Sequence, residues 1–354
     1  MLYPRRGVWQ KVPMGAIGER LLPSGARAWA RRCAAMLVAA TGVVVSASAA
    51  VAASDADFAA WLREFKIEAR QHGISQHTLT AALDHVTPLP HVIELDRKQP
   101  EFTLTFEEYV ARVVSDARVE QGRTLKTQYQ AILARVAASY GVAPRFIVAL
   151  WGIESDYGHI TGDYPVIQTV ATLAYDGRRA DYFRGELIAA LRILDLGYID
   201  LSGMRGSWAG AMGQPQFMPS SYLRYAVDYE KKGRRDIWHD PADIFASTAN
   251  YLAKLGWESD DSWGEEVTLP PNFDTSVADL EIVKGSDEWQ ALGVRAASGR
   301  PLSPPLRPAS LILPADEGGP AFLVYDNFRT LLRWNHSTFF ATSVGLLADR
   351  IGGQ

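Results

Sequence analysis

The segment PRFIVALWGIESDYG, residues 144–158, places a single glutamate in an otherwise apolar helical pattern and decides how the chain folds. Three apolar side chains precede Glu154 by seven, four and three positions: Ile147, Leu150 and Trp151. A helix places them on the same face as Glu154, which is therefore expected to point into the protein or into a cleft. Because burial disfavours the charged form of a carboxylate, we expect a raised pKa and a role as general acid. A salt-bridged glutamate at a helix end is the alternative interpretation.

The first 53 residues have the composition of a secretory signal peptide. Basic residues up to Arg32 precede an uncharged run from Cys33 to Ala53 that is rich in Ala and Val and ends in small residues. We expect cleavage at the end of this run, near residues 52 and 53, with an uncleaved anchor as the alternative and Met14 as an alternative start. Cys33 is the only cysteine and precedes the apolar run, so the protein is not expected to be a lipoprotein. These features predict a periplasmic protein without disulfides.

The chain after this segment is strongly acidic. Residues 1–53 contain seven of the 36 Lys and Arg residues and one of the 40 Asp and Glu residues, which leaves 29 basic and 39 acidic residues and a net charge of −10. Such a domain is a poor candidate for binding nucleic acid. The seven histidines show no HxxH or HExxH spacing, so neither a metal nor a cofactor is expected.

Most of the chain has helical periodicity. Between residues 55 and 260 the pattern is interrupted at candidate caps such as Ser75 and Gly141. The predicted helical stretches include 104–141, 180–199 and 241–256. Between residues 263 and 325, Pro and Gly separate the short β-leaning runs EVTLP, LEIVKG, SLILP and AFLVY, which predict a small sheet or an irregular insert. Helical periodicity returns from residue 329.

A second informative segment, GSWAGAMGQPQFMPSSYLRYAVDY, covers residues 206–229 and contains three closely spaced glycines. Its amide and aromatic side chains are Gln214, Gln216, Trp208, Phe217 and Tyr222. Amides together with flat apolar rings suit a sugar, which needs hydrogen-bond partners for its hydroxyls and apolar surfaces for its ring faces. Close packing between helices is the alternative, because glycine permits close approach of the backbone. Ser220 and Ser221, which follow Pro219, are interpreted as a helix cap.

Together the two segments resemble the lytic murein transglycosylase B family, also known as glycoside hydrolase family 103. The matching motifs are ALWGIESDYG (149–158) and GSWAGAMGQPQFMPSSY (206–222). The resemblance continues through YDGRRADYFRGEL (175–187), ANYLAKLGW (249–257) and RWNHSTFFA (333–341). It therefore extends over nearly the whole chain that follows the predicted signal peptide.

The resemblance implies a mainly α fold in which a lysozyme-like helical core carries an additional helical domain and a small β-containing insert. The expected divisions are the signal peptide (1–53), an N-terminal helical region (54–143), the catalytic core (144–262), the insert (263–325) and a C-terminal helix that packs back on the core (326–354).

The implied activity is cleavage of the peptidoglycan bond between N-acetylmuramic acid and N-acetylglucosamine, with a 1,6-anhydro sugar as product. Carried over onto this chain, Glu154 is the catalytic acid and base. The implied substrate-binding residues are Gln216, Ser207, Arg178, Arg179, Tyr251, Asn335, Phe217 and Trp334. Partners implied by the family are glycan strands, with cell-wall synthesis proteins as further candidates.

A single carboxylate suits this reaction. Most glycosidases use two carboxyl groups, but helical geometry turns Asp156 away from the face of Glu154. An intramolecular hydroxyl as nucleophile has a large entropic advantage over water. A hydrolase of the same bond and a non-catalytic peptidoglycan-binding scaffold are the alternatives.

Two features need separate comment. Arg178 and Arg179 are either a solvated surface pair or a site for the lactyl carboxylate of muramic acid, because arginine binds carboxylates in bidentate fashion.

Some family members have a calcium loop where this chain has DYEKKGRRDIWHDPAD, residues 228–243. Lys232 and Arg234 would repel a cation there, so no calcium is expected. The chain also has Trp334 and Phe340 at positions where family members can have tyrosines.

Overall fold

The computed structural model describes residues 44–98, 104–259, 261–299, 301–302, 307–315 and 318–353. Most of the predicted signal peptide, residues 1–43, lies outside the described residues, and the rest of it belongs to the first helix. The boundaries expected for the separate domains stay a prediction.

Helices dominate the described part of the chain. The first seven are α1 (Val44–Gln71), α2 (Gln76–Leu83), α3 (Pro90–Lys98), α4 (Phe106–Val113), α5 (Asp116–Gln128), α6 (Gln130–Tyr140) and α7 (Pro144–Ser155). The others are α8 (Val166–Asp176), α9 (Ala180–Asp195), α10 (Pro219–Tyr225), α11 (Pro241–Lys254), α12 (Ser286–Ala291), α13 (Asp326–Trp334) and α14 (Thr338–Gly352). The predicted mainly α fold with a small sheet is confirmed.

The amphipathic stretch 104–141 forms three helices, and two of them begin at a side-chain cap. Thr105 caps α4 in a capping box with Glu108, and the side chain of Ser115 accepts the Arg118 N–H to start α5. Gly141 ends α6 in the left-handed conformation at φ 71°. Each of these residues satisfies backbone groups that a helix end leaves open. Helix α6 instead begins after Tyr129 without a side-chain cap.

Helix α7 is the buried centre of the molecule. Pro144 occupies its first turn, as the sequence predicts, and every residue from Phe146 to Ser155 is buried. Helices α5, α6, α11 and α14 all pack against it. This environment explains why the helix is apolar on all sides instead of showing one polar face.

The β-structure consists of two small antiparallel sheets. Strands β1 (Tyr164–Pro165) and β2 (Arg205–Gly206) form a two-stranded ladder. A four-stranded sheet has the order β4-β3-β6-β5 and contains β3 (Gly264–Thr268), β4 (Arg295–Ala296), β5 (Ser310–Ile312) and β6 (Ala321–Val324). Three of the four β-leaning runs are therefore strands. The fourth, residues 280–285, contributes only an isolated bridge between Lys284 and Ala309 before α12 begins.

The four-stranded sheet lies between two hydrophobic cores. On β6, Phe322 and Val324 belong to the large helical core, whereas Ala321 and Leu323 belong to a small separate core with Trp289. The alternation follows from the two-residue period of a strand. The insert thus has an apolar centre of its own and also packs onto the helical body.

In the described part of the chain, no single helix has the length and apolar composition needed to cross a membrane. Helices α6 and α7 meet that criterion only as a pair, and they are bent by 108° relative to one another.

Candidate active site

Glu154 lies at the last turn of α7 and is 4% exposed, so its predicted burial is confirmed. The indole N–H of Trp334 donates a hydrogen bond of 2.5 Å to Glu154 Oε1. Trp334 is the last residue of α13, 180 positions further along the chain. A neutral indole therefore contacts the carboxyl group within an apolar helical core.

Asp156, two residues further on, has a different environment. It leaves the helix in the left-handed conformation at φ 49°, and its Oδ1 accepts hydrogen bonds from Arg118 Nε at 3.2 Å and Nη2 at 3.0 Å. Arg118 is buried on α5. The two acids are therefore separated by the turn of the backbone, as predicted, and Asp156 forms an ion pair.

Aromatic rings surround the Trp334 indole. Its centroid lies 4.6 Å from that of Tyr251 on α11 and 5.5 Å from that of Phe217, and Tyr251 stacks on Tyr225 at 4.0 Å. Three predicted site residues, Phe217, Tyr251 and Trp334, are thus brought into contact with one another beside Glu154. These residues come from a loop and two helices that are far apart in sequence.

The loop from Gly206 to Met218 needs its glycines for its own packing. A Cβ at Gly206 would lie 2.0 Å from the Ala211 carbonyl oxygen, and Gly213 has φ 64° with the Ile237 carbonyl 2.7 Å from a Cβ position. Close approach of the backbone is therefore the reason for these glycines, although the neighbour is the loop itself and residue 237 instead of a second helix.

Gln216 is buried within this loop in a left-handed conformation at φ 51°, which is uncommon for a residue other than glycine. Its Nε2 donates to the carbonyl oxygens of Thr161 at 3.0 Å and Gly213 at 2.8 Å. Both amide hydrogens are engaged by the backbone, so Oε1 is the atom of the side chain that remains for a substrate hydroxyl.

Two side chains expected to contact sugar have structural roles instead. Gln214 accepts the Trp151 indole N–H at 2.7 Å and donates to the Trp238 carbonyl at 2.7 Å, so it connects the loop to α7. Tyr222 is completely buried, and its hydroxyl donates to the Arg235 carbonyl at 2.7 Å. The expectation that Tyr222 offers a flat face to a sugar is therefore wrong, because α10 turns this ring into the core.

Ser207 and Asn335 are both buried and both act on the local backbone. Ser207 Oγ accepts the Ala211 N–H at 2.8 Å inside the loop. Asn335 ends α13, and its Oδ1 accepts the Ser337 N–H at 3.1 Å. Because Asn335 directly follows Trp334, this turn helps to fix where the indole points.

Arg178 and Arg179 share one buried partner, Asp96 on α3. The side chain of Arg178 is 47% exposed, whereas that of Arg179 is 12% exposed and lies 4.7 Å from the Phe183 ring. The pair is therefore not a simple solvated surface pair. Arg178 combines a fixed position with an accessible guanidinium.

Ser220 is not the cap predicted from the sequence. Pro219 and Ser220 already belong to α10, and the N-cap residue Met218 supplies no side-chain hydrogen bond. The buried carboxylate of Glu186 on α9 accepts both the Ser220 N–H at 2.8 Å and its Oγ–H at 2.7 Å. The capping group therefore comes from another helix.

Comparison with known proteins identifies the family. A model of the transglycosylase SLT domain matches residues 57–349. The chain belongs to this family. The resemblance inferred from the motifs is thereby confirmed, and the protein is an enzyme of the lytic transglycosylase type.

Relatives in the family cover most of the chain. Membrane-bound lytic murein transglycosylase B of Escherichia coli K12 is 32% identical in an alignment of 300 residues that covers 79% of each chain. SltB3 from Pseudomonas aeruginosa, solved in complex with NAG-anhNAM-pentapeptide, is 47% identical with a TM-score of 0.81, covering 84% of this chain and 80% of that one. Escherichia coli Slt35, solved in complex with calcium, is 30% identical with a TM-score of 0.69, covering 82% and 92%.

The segment 228–243 of this transglycosylase is held together by its own cations. Lys232 Nζ lies 2.6 Å from Asp240 Oδ2 and 3.0 Å from Glu230 Oε2. Both carboxylate oxygens of Asp243 accept backbone N–H groups, each at 2.8 Å. Among the described residues, no group of three or more His, Cys, Asp or Glu side chains is arranged to hold a metal ion.

Glu186 was not among the residues predicted from the sequence, although it lies inside the matched motif YDGRRADYFRGEL. The available signal was its spacing. Glu186 follows Tyr182 by four positions, which places both side chains on one face of α9. Its contact with Ser220 could not be read from spacing, because the two residues come from different helices.

Proposed function

We propose that this transglycosylase cleaves the β-1,4 bond between N-acetylmuramic acid and N-acetylglucosamine and leaves a 1,6-anhydromuramic acid end, with Glu154 as general acid and then base. The observation that carries the proposal is the position of Glu154. It is buried at the end of α7 beside Trp334, whose ring contacts Tyr251 and Phe217, and it lies apart from the ion-paired Asp156.

The reaction balances with one carboxyl group. Protonated Glu154 gives its proton to the glycosidic oxygen as the bond from that oxygen to the anomeric carbon breaks. The acetamido group of the muramic acid stabilises the cation that develops. The C6 hydroxyl of the same sugar then attacks the anomeric carbon, and its proton returns to Glu154. No water enters, and the enzyme ends in its initial protonation state.

Two observations favour this route over hydrolysis. A hydrolase commonly uses a second carboxylate to activate water or to act as nucleophile, and Asp156, the nearest acid in sequence, is engaged by Arg118. In addition, a relative with 47% identity, SltB3, was solved with NAG-anhNAM-pentapeptide and with NAG-NAM-pentapeptide. A ligand with an anhydro sugar supports the same product here.

The predicted binding residues have compatible chemistry. Gln216 Oε1 can accept a sugar hydroxyl, Tyr251 supplies a ring, and the half-exposed Arg178 can bind the lactyl carboxylate or a peptide that extends from it. Ser207 and Asn335 stabilise the turns in which they lie through hydrogen bonds to the backbone. Their side chains also have polar atoms that can bind a sugar. Arg179 supports Arg178 by sharing Asp96.

Product analysis tests this proposal. Purified murein sacculi are digested with the mature protein, and the fragments are analysed by mass spectrometry. We expect anhydro ends, whereas reducing ends would identify a hydrolase. A Glu154→Gln variant should bind sacculi without cleaving them. If sacculi stay intact with the wild-type protein as well, the non-catalytic scaffold is the correct interpretation.

We also propose that residues 1–53 export the enzyme to the periplasm and are removed near Ala53, which would bring it to its substrate. The basic, apolar and small-residue parts of this segment support export. N-terminal sequencing of the protein recovered from a periplasmic fraction tests the proposal. A first residue near Ser54 supports it, and an intact N-terminus in the cytoplasmic fraction contradicts it.

A further inference from the structure

Glu186 is a buried carboxylate that the reaction above does not use. It is 3% exposed, and its two oxygens accept the backbone N–H and the hydroxyl of Ser220 at 2.8 and 2.7 Å. Because the residue at the N-cap of α10 supplies no side-chain acceptor, Glu186 satisfies this helix end from α9. The bond fixes where the loop that precedes α10 must end.

That loop is held at both ends and strained between them. At its start, Gly206 pairs with Tyr164 in the β1–β2 ladder, and at its end Ser220 is bound to Glu186. In between, Gln216 adopts a left-handed conformation at φ 51°. Such a conformation persists only where the surroundings hold the backbone in place. The contact with Glu186 is one of the restraints that do so.

The loop leads directly to the catalytic acid. Phe217 is three residues before Ser220, and its ring lies 5.5 Å from Trp334, whose indole donates to Glu154. The path from Glu186 to Glu154 therefore runs from Ser220 along three peptide bonds of the backbone to Phe217, and then through Trp334. A displaced start of α10 would move Phe217 and thereby change the packing around the indole.

Glu186 also binds Tyr182, one turn earlier on α9. The Tyr182 hydroxyl donates to Glu186 and is buried, although 39% of the residue as a whole is exposed. Burial, together with the charge of Glu186, raises the pKa of this hydroxyl above its ordinary value. Both Arg179 and Tyr251 lie near enough to influence it as well. Tyr182 thus connects Glu186 with the surroundings of Arg179 and Tyr251.

We propose that Glu186 is a positioning residue for the transglycosylase reaction, because its carboxylate fixes the Gln216–Phe217 turn through Ser220 and anchors Tyr182 beside it. Glu186 acts through these neighbours and does not touch the reacting atoms. The inference rests on the proposed function, since it concerns the rate of the same cleavage.

The same helix offers a matched control. Asp195, nine residues further along α9, accepts the Ser75 N–H at 3.4 Å and the Thr78 hydroxyl at 2.7 Å at the start of α2. It is therefore also an acid that caps a different helix. Asp195→Ala removes this kind of contact away from Glu154, so it reports the effect of a lost cap alone.

The experiment measures kcat and KM for cleavage of soluble glycan strands, below the melting temperature of every variant. Glu186→Ala should lower kcat by about 100-fold, the scale expected for a misplaced active-site geometry, with KM changed much less. Asp195→Ala should lose thermal stability and keep the wild-type kcat. Glu186→Gln should restore most of the activity, because its amide can accept the Ser220 N–H and donate to Ser220 Oγ.

A kcat of Glu186→Ala equal to that of Asp195→Ala overturns the proposal, as does a Glu186→Gln variant as slow as Glu186→Ala. Should Glu186→Ala not fold, Ser220→Ala removes only the hydroxyl contact and should lower kcat by a smaller factor. An unchanged kcat in Ser220→Ala then overturns the proposal. Reducing ends released by the wild-type enzyme would contradict the proposed product and leave these comparisons of kcat valid.

Discussion

Two carboxylate-bearing regions of this molecule are held in opposite ways. Glu154 lies at the end of a buried apolar helix, and the indole of Trp334 contacts it. In the segment 228–243, several acids are bound by ammonium, guanidinium and backbone N–H groups, with Lys232 between Glu230 and Asp240. The first arrangement buries a carboxyl group beside an indole N–H donor at the end of an apolar helix, and the second holds its acids with nearby cations and backbone N–H groups.

This difference is the one expected between catalytic and structural use of the same functional group. An acid paired with a cation is held in its charged form and has little tendency to give or take a proton near neutral pH. An acid among apolar side chains and a neutral donor can exchange a proton with a substrate. The surroundings, and not the presence of a carboxylate, indicate where the chemistry takes place.

The sharpest test compares Glu154 with its neighbour Asp156. Glu154→Gln should reduce cleavage of murein by about 100-fold to 10,000-fold, the range attributed to general acid–base catalysis, and should leave the fold intact. Asp156→Asn should retain most of the activity while lowering the melting temperature, because Arg118 loses a charged partner. Turbidity of sacculi and thermal unfolding measure the two effects. Equal losses of activity in both variants would contradict the distinction between a catalytic Glu154 and a structural Asp156.

Trp334→Phe tests whether the indole donor matters beyond its bulk. Phenylalanine keeps a ring against Tyr251 and Phe217 but cannot donate to Glu154. We expect kcat to fall about 10-fold to 100-fold, the effect of losing a hydrogen bond to a charged or ionisable group. The melting temperature of the variant is the control. If activity is lost only because the variant unfolds, the indole is a packing residue.

Lys232→Ala tests the charged segment, where a smaller effect is expected. Hydrogen bonds to Asp240 and Glu230 raise the pKa of Lys232, so its contribution to stability is present at neutral pH and is lost only as strongly alkaline pH passes the raised value. The variant should melt slightly below the wild type at pH 7 with unchanged activity. The wild-type melting temperature should be the same in the presence of calcium and in the presence of a chelator. An increase with calcium would show that Lys232 does not exclude the ion.

Asp195→Asn should have the smallest effect and should depend on pH. Hydrogen bonds from the Ser75 and Thr78 side chains lower the pKa of Asp195, so its stabilising contribution is present at neutral pH and is lost as pH falls through the lowered value. The variant should melt below the wild type at neutral pH, and the two should converge as the pH falls below the lowered pKa of Asp195. A difference in melting temperature between variant and wild type that stays the same at every pH would contradict a stabilising role of the charged Asp195 carboxylate.

Local features were the easiest to predict. The apolar spacing before Glu154 indicated its burial, Pro144 marked the start of α7, and Gly141 the end of α6. Each depends on side chains within one or two turns of each other, so the sequence contains all the information needed. The weak β-propensity of residues 280–285 was misleading, because strand formation requires a partner whose position is fixed elsewhere in the fold.

The sequence by itself determined the mainly helical fold and the family and pointed to Glu154 as the candidate acid, since periodicity and motifs record which faces are buried. Only the tertiary structure decided what surrounds that acid. Trp334 reaches Glu154 across 180 residues, Arg118 binds Asp156, and Glu186 caps a helix that Ser220 was expected to cap. The physical reason is that hydrogen bonds and ring contacts depend on distances in space, which the packing of α7 against its neighbouring helices sets and no local pattern encodes.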